Sequence, residues 1–271
     1  MDVKALMSQR VLILGANGFI GSRLRADLDE EYEIIVIDRK SSTFEIQLAN
    51  SNPDIVVNCS ASNPDANFFE SLNANVFFQM KCLEVISKGR TSPFKWVQVG
   101  SYFEYQISYG RSDHYTIHKE LCRKLLMEAA INGRFSITTI FLPHVFGKGE
   151  KSTRLIPYLK GQFRKGELAS ISAGEQYLPI LSLEDASSAI KAAIQSNQIE
   201  CSAFPIWHGK VTELAHLMQK QMSADLLFSD SSKVSVDASF PPTHFPPGVE
   251  GWAPQVHFVD FLHGLGNLET S

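Results

Sequence analysis

The chain has 271 residues, of which 44% are hydrophobic, with 25 Lys and Arg against 29 Asp and Glu for a formal net charge of -4. This hydrophobic content is enough for a packed core and excludes a mainly disordered protein. Because Lys and Arg form no run, the sequence shows no basic patch of the kind that binds nucleic acid or anionic lipid. We therefore expect a globular protein with a small-molecule ligand.

Targeting and metal-binding signals are missing from the sequence. The opening MDVKALMSQR lacks the apolar core of a signal peptide, and no window approaches the ~18 apolar residues of a membrane span. We expect a cytoplasmic protein that does not enter a membrane. The four cysteines form no CxxC pair, so free thiols are expected rather than disulfides or a metal site.

In the first half of the chain, short apolar runs alternate with stretches of helical spacing. The apolar runs, predicted as strands, are residues 10–14, 32–37, 54–59, 95–99 and 136–141. The predicted helices are residues 20–28, 68–87 and 113–131. Strands that alternate with helices predict an α/β fold with a doubly wound parallel sheet.

After residue 149 the apolar runs and the stretches of helical spacing no longer alternate regularly. The sequence there predicts helices over 153–164, 183–195 and 256–265, a strand near 168–171, and a loop rich in proline at 241–248. We interpret residues 1–150 as the main domain. Residues 151–271 are predicted to form a smaller C-terminal substrate-binding cap, interleaved with the end of the main sheet.

The first strand and the first helix are joined by a turn, residues 15–21, that reads GANGFIG. Glycines at this spacing allow a tight turn, close approach to a pyrophosphate and packing of the helix on the strand, with the phosphate at the helix N-terminus. The turn therefore predicts an NAD(P)-binding Rossmann domain. The predicted cofactor contacts are Gly15, Asn17, Gly18, Phe19, Ile20 and Gly21.

An acidic residue, Asp38, follows the second predicted strand, 17 positions after Gly21. A carboxylate there can accept hydrogen bonds from the adenosine ribose hydroxyls, which favours NAD. Arg39 follows directly, and its guanidinium could hold the 2′-phosphate of NADP. The cofactor prediction is thus NAD or NADP, with NAD favoured.

The sequence contains a single YxxxK motif, Tyr115 to Lys119, at the start of a predicted helix. Residues at i and i+4 share a helix face, so the ammonium of Lys119 lies beside the phenol and favours its ionisation. Ser101 follows the fourth predicted strand, at the edge where doubly wound sheets bind ligands. We predict that Ser101, Tyr115 and Lys119 are catalytic.

With these motifs the sequence resembles the extended short-chain dehydrogenase/reductase family, also called the NAD-dependent epimerase/dehydratase family, over roughly residues 10 to 255. The matching segments include GANGFIG, DIVVNCSA, VQVGSYFEY, YTIHK and LPHVFGKG. The resemblance implies that Ser60, Ala61, Asn75, Pro143 and Val145 also contact the cofactor, with Asn75 completing a catalytic tetrad. It places Ser101, Tyr102 and His144 against the substrate.

The resemblance is strongest to nucleotide-sugar 4-ketoreductases, and departures from the family pattern narrow the reaction. The Asp-Glu pair that dehydratases carry after the catalytic Ser or Thr is replaced by Tyr102 and Phe103, and no Cys neighbours Ser101 as in 3,5-epimerase-reductases. This leaves NAD(P)H-dependent reduction of a 4-keto-6-deoxy nucleotide sugar, or a 4-epimerase that oxidises and re-reduces one carbon. A third hypothesis is a regulator that binds NAD(P) without turnover. Two arginines that relatives use for the diphosphate are missing, at Phe141 and within 176–179.

The predicted partners are a nucleotide-sugar substrate and a second copy of the chain. The segment 68–87 has apolar residues on more than one helical face. One face would pack on the sheet, and the other would meet its twin in a homodimer through the helices at 68–87 and 113–131.

Overall fold

The computed structural model describes residues 9–109, 112–167, 169, 171, 176–222 and 246–267. The strands are β1 (Arg10–Leu14), β2 (Glu33–Ile35), β3 (Ile55–Asn58), β4 (Phe94–Ser101), β5 (Phe135–Leu142), β6 (His144–Phe146), β7 (Tyr177–Ser182), β8 (Glu200–Ser202) and β9 (Trp207–Lys210). The α-helices are α1 (Phe19–Leu28), α2 (Phe44–Ser51), α3 (Phe68–Leu72), α4 (Phe78–Ser87), α5 (His114–Asn132), α6 (Leu155–Lys165), α7 (Leu183–Gln195), α8 (Val211–Met222) and α9 (Phe258–Asn267).

Six strands form one parallel sheet in the order β2-β1-β3-β4-β5-β8. β2 pairs with one edge of β1, and the next strand in the chain, β3, pairs with the other edge. This reversal opens a crevice at the carboxyl ends of the strands, where doubly wound sheets bind ligands. The predicted Rossmann-type α/β fold is confirmed.

Alternate side chains of β1 pack on opposite faces of the sheet, as the period of a strand requires. Val11 and Ile13 belong to a core that α1 and α7 cover, while Leu12 and Leu14 belong to a core that α4 and α5 cover. Helices on both faces explain why the central strands are apolar along their whole length.

A smaller sheet has the order β6-β7-β9, with β6 and β7 parallel and β9 antiparallel to β7. It packs with α6, α8 and α9 around a third core. β8 lies between β7 and β9 in sequence but joins the main sheet. The division at residue 150 stays a prediction. β6 lies before residue 150 but belongs to the smaller sheet, whereas α7 and β8 lie after it but pack with the main sheet.

Some predicted elements differ from those observed. The second strand, predicted over residues 32–37, is observed only over Glu33–Ile35. The helix predicted over 68–87 contains a π-helical segment, Asn73–Phe77. In the predicted strand at 168–171, Ala169 and Ile171 belong to no strand and the other two residues lie outside the described ranges, as does most of the proline-rich loop.

Two further expectations concern membranes and cysteines. Among the described helices, none combines the length and apolar character needed to cross a membrane. All four cysteines are free thiols.

Candidate active site

A cavity of about 500 Å³ lies at the carboxyl ends of β1, β3, β4 and β5, within the usual range for a ligand pocket. Of the predicted site residues, those that line it are Asn17, Gly18, Phe19, Ile20, Ala61, Ser101, Tyr102, Tyr115, Lys119, Pro143, His144 and Val145. Six others do not line it: Gly15, Gly21, Asp38, Arg39, Ser60 and Asn75.

The glycine turn is shaped for close contact. Gly15 has a φ of +81°, and a Cβ on it would lie 2.9 Å from the backbone nitrogen of Ser60. A Cβ on Gly21 would lie 2.2 Å from the carbonyl oxygen of Gly15. Helix α1 starts directly after Gly18, without a side-chain cap and without an acidic residue in its first turn. Its N-terminal N–H groups therefore suit a phosphate, and the turn fits a dinucleotide.

Asp38 and Arg39 lie in a turn after β2. The carboxylate of Asp38 accepts a hydrogen bond from the backbone N–H of Lys40 at 2.9 Å, and the residue is exposed. The guanidinium of Arg39 lies over the ring of Phe78, 4.3 Å from its centre. Both residues are exposed; Arg39 lies against α4, whereas the Asp38 carboxylate bonds only to the nearby backbone among the contacts described.

Asn75 lies in the π-helical segment and is fully buried. Its amide oxygen accepts the backbone N–H of Ser62 at 3.0 Å, and its amide nitrogen donates to the hydroxyls of Ser62 and Ser71. Ser62 belongs to the loop after β3 that lines the cavity. Asn75 therefore fixes this loop, and its predicted place in a catalytic tetrad stays a prediction.

Tyr115 and Lys119 occupy the first two turns of α5, which Asp113 caps by accepting the backbone N–H of Thr116 at 2.9 Å. The Lys119 nitrogen lies 5.7 Å from the centre of the Tyr115 ring and donates to the carbonyl of Val99 at 2.8 Å. Burial opposes the charge, but Tyr115 and nearby acidic groups raise the pKa of Lys119 above its ordinary value. Lys119 is therefore a fixed ammonium beside the phenol.

Ser101 is the last residue of β4 and also lines the cavity. Its hydroxyl accepts the backbone N–H of Phe103 at 3.3 Å, and its own N–H donates to the carboxylate of Glu104 at 2.8 Å. Tyr102 lines the cavity but donates its hydroxyl to the carbonyl of Ala203. The hydroxyl of Tyr102 is thus engaged in holding the chain after β8.

A cluster of charged and titratable side chains, His144, Glu150 and Arg154, also lines the cavity. His144 Nε2 lies 3.2 Å from a carboxylate oxygen of Glu150, and His144 Nδ1 lies 3.3 Å from a guanidinium nitrogen of Arg154. Because arginine can only donate, Nδ1 accepts and the imidazole proton resides on Nε2, facing Glu150. Lys151 lines the cavity as well. His144 therefore positions Arg154, a residue that sequence reasoning did not single out.

The comparisons with known proteins agree with this geometry. The profile of the NAD dependent epimerase/dehydratase family matches residues 11–202. The chain belongs to this family. The match covers β1 through β8, and the predicted NAD(P)-dependent oxidoreductase of the extended short-chain type is confirmed.

Among curated proteins, CDP-abequose synthase of Yersinia pseudotuberculosis is 22% identical over 218 residues, covering 69% of this chain and 74% of that protein. Among solved structures, RMD from Pseudomonas aeruginosa, complexed with NADPH, has a TM-score of 0.78 at 14% identity, covering 96% and 98% of the two chains. The UDP-glucose 4-epimerase of Thermotoga maritima, with UDP-glucose, has a TM-score of 0.78 at 17% identity, covering 95% and 96%. At these identities the structures show the shared fold.

Proposed function

We propose that this member of the epimerase/dehydratase family reduces the 4-keto group of a 4-keto-6-deoxy nucleotide sugar with NADH or NADPH. The observation that carries the proposal is that one cavity is lined by Ser101, Tyr115, Lys119 and the glycine turn. A site that only bound a nucleotide would not need a phenol beside a buried ammonium. This favours an enzyme over a regulator without turnover.

The three side chains have distinct roles in the proposed reaction. When bound, the reduced nicotinamide supplies a hydride to the ketone carbon. Tyr115 gives its phenolic proton to the oxygen as negative charge develops there, and Ser101 donates a hydrogen bond to the same oxygen. Lys119 stabilises the phenolate that remains and holds the cofactor ribose.

Cationic side chains that line the cavity support an anionic substrate such as a nucleotide diphosphate sugar. Lys151 and Arg154 line the cavity, and Arg154 stands at the N-terminus of α6. We infer that they take the place of the two family arginines missing at Phe141 and in 176–179. His144, predicted to bind the substrate, contributes by holding Arg154.

We infer a preference for NAD from the turn after β2. Asp38 presents an exposed carboxylate, whereas Arg39 lies on Phe78, an arrangement that favours the free ribose hydroxyls of NAD. Calorimetric titration with NADH and NADPH tests this preference. Tighter binding of NADPH would mean that Arg39 leaves Phe78 for the 2′-phosphate.

Replacement of Tyr115 by Phe tests the proposed reaction. The variant removes the proton donor, so turnover should fall by about 100-fold or more while cofactor affinity stays unchanged. The measurement is loss of nicotinamide absorbance with CDP- and dTDP-4-keto-6-deoxyglucose. Tyr32→Phe is the matched control, because Tyr32 is buried away from the cavity and should leave turnover unchanged.

The same assay separates the alternatives. Equal turnover by wild type and Tyr115→Phe would show that the assignment of the proton donor is wrong. Sugar interconversion without net oxidation of the cofactor would favour a 4-epimerase, since that reaction oxidises and re-reduces one carbon.

We also propose that the chain forms a homodimer through α3 and α5. These helices carry apolar side chains that remain exposed in the single chain, namely Phe68 (42%), Phe69 (74%), Ile117 (41%) and Leu121 (40%). Because α3 and α5 pack together, their outer faces form one surface that a second copy would cover.

A further inference from the structure

A buried carboxylate, Glu104, contacts the backbone of Ser101 and has no part in the proposed reaction. Its side chain is 2% exposed, and it follows Ser101 by three residues in a short 3-10 helix, Tyr102–Tyr109. We propose that Glu104 is a positioning residue that fixes Ser101 against helix α5 and sets the charge balance around Tyr115. This inference rests on the proposed function.

The first contact of Glu104 is with the backbone of Ser101. One carboxylate oxygen, Oε1, accepts the N–H of Ser101 at 2.8 Å. Gly100 makes room for it, because a Cβ on Gly100 would lie 3.1 Å from that oxygen. Glu104 therefore determines where the chain turns at the end of β4, and with it the direction of the Ser101 hydroxyl.

The second contact is with helix α5. Tyr115, Lys119 and Arg123 are spaced by four residues and share one face of the helix. The second oxygen of Glu104, Oε2, is buried without a hydrogen-bond partner in the described chain and lies 3.6 Å from Nε of Arg123. Glu104 thus links the Ser101 turn to the helix that carries the proton donor.

Several charged or titratable groups face Glu104. Lys119, Glu120 and Arg123 do so from α5, and Tyr105 does so from its own 3-10 helix. Burial raises the pKa of Glu104 to about 7, although Lys119, the N–H of Ser101 and Arg123 oppose the shift. Above that pH the carboxylate balances the charge of Lys119, so less positive charge acts on Tyr115.

Two substitutions separate the two contacts. In Glu104→Leu both contacts are lost, so kcat with CDP-4-keto-6-deoxyglucose should fall about tenfold while cofactor affinity stays within twofold. In Glu104→Gln an amide oxygen can still accept the Ser101 N–H, so kcat at neutral pH should stay close to wild type. Glu128→Gln, on an exposed position of α5, is the control for loss of a carboxylate.

The pH profile is a readout that a merely structural role would not move. Without the negative charge of Glu104, the positive charge of Lys119 is less balanced and favours the phenolate form of Tyr115 more strongly. Reduction needs the protonated phenol, so kcat declines at high pH. In Glu104→Gln this alkaline limb of the pH profile should move to lower pH by roughly half a unit or more. Wild-type kcat in Glu104→Leu, or an unmoved limb in Glu104→Gln, would overturn the inference.

A second readout does not depend on turnover. The ultraviolet absorbance of tyrosinate, measured for each protein against its Tyr115→Phe counterpart, reports the ionisation of Tyr115. Tyr115 should ionise at lower pH in Glu104→Gln than in wild type. Ionisation at the same pH in both proteins would contradict the inference, and this result does not depend on which substrate the enzyme uses. If CDP-4-keto-6-deoxyglucose is not reduced by wild type, the proposed function fails and this titration still decides the role of Glu104.

Discussion

Gly21 lies where the first turn of α1 passes the glycine turn, and no other residue fits there without a shift. A Cβ at this position would lie 2.2 Å from the carbonyl oxygen of Gly15, a backbone atom that a side-chain rotation cannot remove. We expect Gly21→Ala to push α1 away from the turn and to weaken NADH binding about tenfold or more. Calorimetric titration measures the loss.

Gly161 provides the control for this prediction. It lies within α6, and a Cβ there meets no atom within 4 Å. Gly161→Ala should leave NADH binding unchanged and stabilise the fold by up to about 1 kcal/mol, because alanine is the better helix former. Unchanged NADH binding in Gly21→Ala would show that the close packing of the turn is not needed by the cofactor.

Residues whose positions depend on local spacing could be placed at the cavity from the sequence. Tyr115 and Lys119 are four residues apart on one helix, and Ser101 ends a strand, so the sequence alone brings them to one edge. Glu104 and Arg154 gave no such signal, since their proposed roles rest on contacts with Ser101 and Arg123 and with His144 that follow no recognisable spacing in the sequence. The sequence signals nearest to Arg154 were the predicted substrate contact His144 and the charged run GKGEKSTR, residues 147–154.

At the scale of elements, the end of helix α7 is fixed by a side chain from the main sheet. Lys95, on β4, donates hydrogen bonds to the carbonyls of Ala193 and Ile194 at 3.0 and 2.8 Å and also to that of Ser196. These carbonyls would otherwise lack partners at the helix C-terminus. Lys95→Met should lower the free energy of unfolding by about 1–3 kcal/mol.

Denaturant unfolding measures this change, with Lys124→Met as the control. Lys124 is 67% exposed on α5 and pairs only with Glu120 among the contacts described, so its loss should cost less than about 1 kcal/mol. Equal stability of the Lys95→Met variant and wild type would show that water serves the helix end as well as the ammonium does.

The long apolar elements were predictable, whereas short ones were not. Strands β1, β3, β4 and β5 are buried on both faces, so their apolar runs stand out in the sequence. β6 and β8 have three residues each and depend on pairing with distant strands. The π-helical segment also escaped prediction, because its sequence continues the helical spacing of its neighbours.

At the scale of the molecule, the cavity is built where the two sheets meet. A single residue, Pro143, separates the end of β5 from the start of β6, so the chain passes from one sheet to the other at the cavity. Leu178 and Pro179 of β7 line the same cavity from the second sheet. Residues on both sides of the predicted division thus line the cavity, and the chain passes between the two sheets more than once.

The proposed dimer gives the last prediction. Phe69 is 74% exposed on α3, and a charge placed there would be buried without a partner in the interface. Light scattering after size exclusion should give twice the mass of one chain for wild type and the mass of one chain for Phe69→Glu. Ile46→Glu is the control, since Ile46 is 62% exposed on α2 and should leave the dimer intact. A wild-type mass of one chain would overturn the dimer, and a dimeric Phe69→Glu would place the interface elsewhere.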